Sequence, residues 1–169
     1  MIRNQERNSE LISIISKNPG IKFREMMRAT GMKNGVLSHH LTKLEKSGTV
    51  QVHRSTRQTR FYPLHITETE SKVIRALRRE TPRDIISSLI LNDNLEFNEI
   101  VKKVHKAPST VSLYLSQLVD DEIVKIQFLE RKKTYKIQDK TLVDKLIEDY
   151  RPSMLERPTA GLEDIINSL

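Results

Sequence analysis

The sequence aligns with itself. Residues 21–61 lie over residues 95–135 without a gap, at an offset of 74. Phe23 meets Phe97, Glu25 meets Glu99, Ser38 meets Ser112, Leu41 meets Leu115, Leu44 meets Leu118, Val50 meets Val124 and Arg57 meets Arg131, seven identities in 41 positions. Apolar character is kept at further pairs: Ile21 with Leu95, Met26 with Ile100, Met27 with Val101, Leu37 with Val111, Val52 with Ile126 and Phe61 with Tyr135. Self-similarity at a fixed period means one structural unit built twice. In 169 residues each unit has about 75, enough to bury only about 60% of its unfolded surface.

Within the first copy, Leu11, Ile12, Ile14 and Ile15 have helical spacing before the turn Asn18-Pro19-Gly20, and the short stretch Ile21-Lys22-Phe23 leads to a second helix over 23–30. Gly31 ends that helix. A third runs from Asn34 to Lys46 and closes at Gly48, followed by two alternating runs around a polar turn, a β-hairpin. The second copy repeats this order with helices near 82–92, 97–105 and 109–121 and strands over 123–129 and 133–137. Thr67 with Glu70 three residues on forms a capping box, and Thr81-Pro82 restarts a helix, so the connection is helical. Three short helices and a hairpin make the winged helix-turn-helix arrangement. The expected fold is mainly α with small β-hairpins (α+β): two tandem winged helix-turn-helix domains, at 1–66 and 82–150, joined by a helical linker at 67–81. Leu142, Val143, Leu146, Ile147 and Tyr150 share a helical face that requires a partner surface. A tail at 151–169 spaces Leu162, Ile165, Ile166 and Leu169 as a short docked helix would.

The formal charge is +7, and its distribution says more than its sum. Residues 1–66 hold 12 Lys and Arg against 4 Asp and Glu, a local +8, whereas residues 67–169 hold 17 against 18. A basic first domain attracts a polyanion. No apolar run approaches the roughly 20 residues needed to cross a bilayer. There is no cysteine, and the chain does not open with a basic segment followed by an apolar one. A cytoplasmic protein is expected, with no membrane contact. Glycine-rich phosphate loops, nucleophile elbows and HExxH motifs are lacking too, so neither enzymatic activity nor a cofactor is expected.

The third helix carries the chemistry. Leu37, His40, Leu41 and Leu44 fall on one face and Gly35, Ser38, His39, Thr42 and Lys46 on the opposite one. Small hydrogen-bonding side chains suit a major groove about 12 Å wide, because bulky ones would hold the helix off the base edges. Asn34, Ser38, His39 and Thr42 are therefore candidate readers, with Lys33, Lys43 and Lys46 suited to phosphates. The hairpin adds His53, Arg54, Arg57 and Arg60, suited to the backbone or a narrowed minor groove. Zinc needs three or four ligands in suitable geometry, and adjacent histidines on a helix diverge by about 100°, so His39, His40 and His53 are not read as a metal site.

Residues 32–50 and 106–124 resemble the recognition helices of winged helix regulators of the MarR and ArsR kind. With both copies in one chain, residues 8–150 resemble archaeal transcriptional regulators with two helix-turn-helix domains. That resemblance implies sequence-specific binding of double-stranded DNA by a homodimer, through the residues already named in copy one. ArsR-like relatives often sense metals through cysteine or histidine clusters, and the lack of cysteine argues against that here. In copy two, Leu113 replaces His39 and Asp120 replaces Lys46. Ser109, Thr110, Ser112 and Ser116 with Arg131, Lys132, Lys133 and Lys136 form its auxiliary DNA-binding set. The alternative is a winged helix scaffold whose faces bind other proteins, for instance transcription machinery.

Overall fold

The computed structural model describes residues 2–155, with side chains from 3 to 151. Among the described residues two compact units emerge, one of residues 2–71 with 150–155 and one of residues 72–149. The division falls inside the expected 67–81 linker. Among the described residues no helix is long and apolar enough to cross a membrane.

In the first unit, α1 (Ile2–Lys17) ends at the Asn18-Pro19-Gly20 turn, a two-residue strand β1 (Ile21–Lys22) runs directly into α2 (Phe23–Thr30), and α3 (Asn34–Lys46) follows. Strands β2 (Val50–Arg54) and β3 (Thr59–Pro63) form the hairpin. Glu25 explains one of the repeat identities: its carboxylate accepts the Lys22 backbone N–H at 2.8 Å, satisfying a donor that the start of α2 would leave open. Gly31 ends α2 in the left-handed conformation, φ 66°, and its N–H closes onto the Met27 carbonyl at 2.9 Å. The sheet order is β1-β3-β2, with Ile21 opposite Phe61 and Val52 opposite Phe61 on the other edge. β3 is thus a central strand. The core gathers Leu11, Ile15, Ile21, Met26, Leu37, Leu41, Leu44, Val50 and Phe61.

Adding 74 to each of those nine numbers gives Ile85, Leu89, Leu95, Ile100, Val111, Leu115, Leu118, Val124 and Tyr135, and all nine are buried. The repeat therefore extends backward through the first helix, beyond the stretch where sequence identity reveals it. Its elements are α5 (Glu80–Leu91), β4 (Leu95–Glu96), α6 (Phe97–Val104), α7 (Pro108–Asp120), β5 (Val124–Leu129) and β6 (Lys132–Ile137), with sheet order β4-β6-β5. The backbone repeats as well. Left-handed residues Gly20, Gly31 and Gly48 recur as Asn94, His105 and Glu122. Glu99 accepts the Glu96 N–H at 2.7 Å, as Glu25 does for Lys22.

Between the repeats stands α4 (Glu68–Leu77). The expected capping box is formed: Thr67 N–H donates to the Glu70 carboxylate at 2.8 Å, and Glu70 N–H to Thr67 Oγ1 at 3.2 Å. α5 begins at Glu80, two residues before Pro82, which proline tolerates because N–H groups in the first turn have no intrahelical acceptor. α8 (Lys140–Leu155) passes the expected boundary at 150. Val143 and Leu146 of its apolar face are already buried within the chain. The tail residues Leu162, Ile165, Ile166 and Leu169 lie outside the described residues.

Candidate nucleic-acid interface

The two faces of α3 divide as the spacing demands. Leu37, His40, Leu41 and Leu44 are buried, and Lys33, Asn34, Ser38, His39, Thr42, Lys43 and Lys46 are exposed. One inward residue is polar. His40 Nδ1 lies 2.8 Å from Asn8 Oδ1 on α1, and because that oxygen can only accept, Nδ1 carries the hydrogen. Burial lowers the His40 pKa below its ordinary value, helped by the neighbouring His39, Arg7 and Lys43. A neutral imidazole thus ties α3 to α1. His39 stays outside, its ring meeting that of His40 edge-on at 5.7 Å. Among the described residues, no cluster of three or more His, Cys, Asp or Glu could hold a metal ion.

The wing arginines have three different fates. Arg57 is exposed in the turn at the tip, where Ser55 N–H donates to the Gln58 carbonyl at 2.9 Å. Arg54 is exposed but occupied, its two terminal nitrogens donating to the two Glu45 oxygens at 2.6 Å each. That fork fastens β2 to α3 and holds the Glu45 carboxyl below the usual range through its hydrogen bond. Arg60 corrects an expectation. It is only 3% exposed, and its Nη1 donates to the Gly20 carbonyl at 2.7 Å, so it serves the fold and does not face a ligand. The reason is β1: a strand on the far side of β3 makes Arg60 a central-strand residue beside a carbonyl that needs a donor. His53 is exposed beside Tyr62, ring centroids 4.7 Å apart.

Sequence reasoning missed one part of this surface. A cleft of about 620 Å³ opens between the start of α2 and the wing turn, lined by Lys22, Arg24, Ser55, Thr56 and Arg57 among others. Its basis is the pairing of Lys22 with Arg60, which brings the head of α2 beside the wing, and the two residues of β1 carry no sequence signal that could have shown it.

In the second unit, Ser109, Ser112, Ser116, Arg131, Lys132 and Lys133 are exposed and Thr110 and Lys136 half-buried. Lys132 pairs with Glu96 at 2.7 Å. Its hairpin keeps the register of the first, Gln127 opposite Thr134 as His53 is opposite Arg60, and turns through Glu130 and Arg131, both left-handed. The position of His40 is taken by half-buried Tyr114, over whose ring the Arg79 guanidinium sits at 4.7 Å.

Comparison with known proteins agrees with this construction. Residues 5–74 match the family model HTH_HVO_0163_N, described as an N-terminal HTH domain, and residues 68–125 match a winged helix-turn-helix DNA-binding family. A search of curated proteins finds no match. Among solved structures the chain is similar to HlyU from Vibrio cholerae, at 18% identity over 50% of this chain and 90% of that one, with a TM-score of 0.43. It is also similar to a homodimeric winged helix-turn-helix DNA-binding domain from Mycobacterium bovis, described as a possible ArsR-family transcriptional regulator, at 16% identity over 48% and 74%, TM-score 0.42. A conserved hypothetical protein from Chlorobium tepidum matches at 12% identity over 84% and 96%, TM-score 0.31. On the two family matches, this chain carries two helix-turn-helix domains in tandem, the second matching a winged helix-turn-helix DNA-binding family.

Proposed function

We propose that the first domain reads double-stranded DNA by sequence, with α3 in the major groove and the wing tip on the backbone or an adjacent minor groove. The observation that carries this reading is the shared exposure of Asn34, Ser38, His39 and Thr42, flanked by Lys33, Lys43 and Lys46, in a segment of charge +8. His53 and Arg57 extend the basic surface, and Lys22 and Arg24 join it across the cleft behind the wing. Arg54 contributes by bracing the wing through Glu45. A homodimer would set two half-sites about one helical turn apart, or a multiple of it. In such a regulator, contact with the transcription machinery and a cytoplasmic location follow from the role. The corresponding set on the second domain gives weaker support for an auxiliary contact, since Lys132 is spent on Glu96 and leucine stands where His39 does.

The test is the salt dependence of binding to duplex DNA. Neutralising about six to ten phosphates gives a slope of log K against log salt of roughly −5 to −9. A flat response overturns the reading. Selection from random duplexes on the wild type and on Ser38→Ala and His39→Ala variants then checks base reading: the preferred sequence changes if these side chains touch base edges.

A further inference from the structure

The repeat permits a position-by-position comparison of the face that reads DNA in the proposal above. Ser38 and Thr42 correspond to Ser112 and Ser116, so the helix remains small-faced there. Around them the chemistry inverts. His39 becomes Leu113, Arg54 becomes Phe128, and Lys46 becomes Asp120. Leu113 is 56% exposed, Ile126 40% and Phe128 73%. Ile126 and Phe128 are two apart on β5 and so point to the same side of the sheet. Glu45, which braces Arg54 in the first domain, corresponds to Val119.

Of these residues, Val119 and Ile126 line a depression. A cleft of about 230 Å³ lies between α7 and the hairpin, lined by Ser112, Ser116, Val119, Ile126, Lys133 and Tyr135 among others. It is smaller than the roughly 300–1,000 Å³ of small-molecule sites, and suits a single apolar side chain. Lys133 stands at its wall, and Arg131 lies exposed in the turn of the same hairpin. Bases and phosphates have little use for an exposed phenylalanine where the sister domain has arginine. An apolar anchor with carboxylates beside it satisfies both the cleft and the cations.

We propose that the face of the second domain between α7 and the β5–β6 hairpin docks an acidic, amphipathic segment of another protein, one large apolar side chain entering the cleft and flanking carboxylates meeting Lys133 and Arg131. This assignment does not rest on DNA binding by the first domain.

The test uses the full chain and a phage-displayed library of random peptides of about 12 residues. Enriched peptides should combine Leu, Ile, Phe or Trp with Asp or Glu. They should lose about tenfold or more in affinity when Leu113→His and Phe128→Arg restore the residues of the first domain. Because the chain contains no tryptophan, Phe128→Trp supplies a local emission reporter, which should shift to shorter wavelength on adding a selected peptide. Affinity for duplex DNA should be the same for the wild type and for the variant carrying Leu113→Ala and Phe128→Ala, which adds no charge. Enrichment of basic peptides, or peptide affinity indifferent to both substitutions, overturns the proposal. So does weaker duplex binding by the alanine variant, which would assign this face to DNA. A fall in the mass of the assembly by sedimentation on making the variant would assign it to a second copy, and equally overturns it.

Discussion

Arg60 and Arg57 are three residues apart and have opposite tasks. Removing Arg60 leaves the buried Gly20 carbonyl without the donor at 2.7 Å, so Arg60→Ala should cost about 1–3 kcal/mol in urea unfolding, with the salt slope of DNA binding unchanged. Arg57→Ala should do the reverse, leaving stability alone and reducing the slope by about one. His40 gives a pH signature. Its folded pKa lies below the ordinary value of 6.5, so the unfolded chain takes up its proton first as pH falls. Its contribution is complete above pH 6.5 and declines as pH drops through 6.5 toward the lower folded value. Urea midpoints at pH 7.5 and 5.5 should differ more for the wild type than for His40→Gln. At this scale the sequence is readable where a helix decides the matter: the spacing of Leu37, Leu41 and Leu44 also turns His40 inward. It is unreadable at Arg60, because two residues of β1 carry no periodicity of their own, yet they convert the outer strand of a hairpin into a central one.

The elements are closed by backbone turns of one hand, and the two copies meet the same requirement with different residues. Gly48 after α3 has φ 67°, and Glu122 after α7 has φ 60°. A side chain in this conformation costs roughly 1–2 kcal/mol relative to the right-handed region. A Cβ added at Gly48 meets nothing within 4 Å, so Gly48→Ala should cost about 1 kcal/mol through backbone strain alone. Glu122→Gly should recover about 1 kcal/mol or less, since glycine's freedom in the unfolded chain offsets part of the relief. Thermal unfolding of the two variants checks the pair, and equal signs would contradict it. Helices and hairpins were legible because their apolar periods are long enough to register. The start of α5 was displaced by two residues, since Pro82 permits a helix to begin before it as readily as at it.

Each compact unit holds its own set of nine matched core residues. Leu41→Ala should therefore cost the first unit about 2–5 kcal/mol and raise amide exchange at Leu11, Ile15 and Leu37, while amides at Ile85, Leu89 and Val111 keep their protection. Duplication of the scaffold could be read from the chain because buried positions tolerate few alternatives. What each copy does was harder to read, because outward positions diverge freely, as His39 and Leu113 do. The attachment of the first wing bears on how the proposed interface would meet DNA of uneven groove width. The lower part of the hairpin is moored twice to the turn after α1, by Gly20 N–H on the Phe61 carbonyl at 2.8 Å and by Arg60 on the Gly20 carbonyl. Compliance is left to the few residues from Ser55 to Gln58, so accommodation to a wider or narrower duplex would come from Arg57 swinging on a short leash, and a large change of groove shape would be refused.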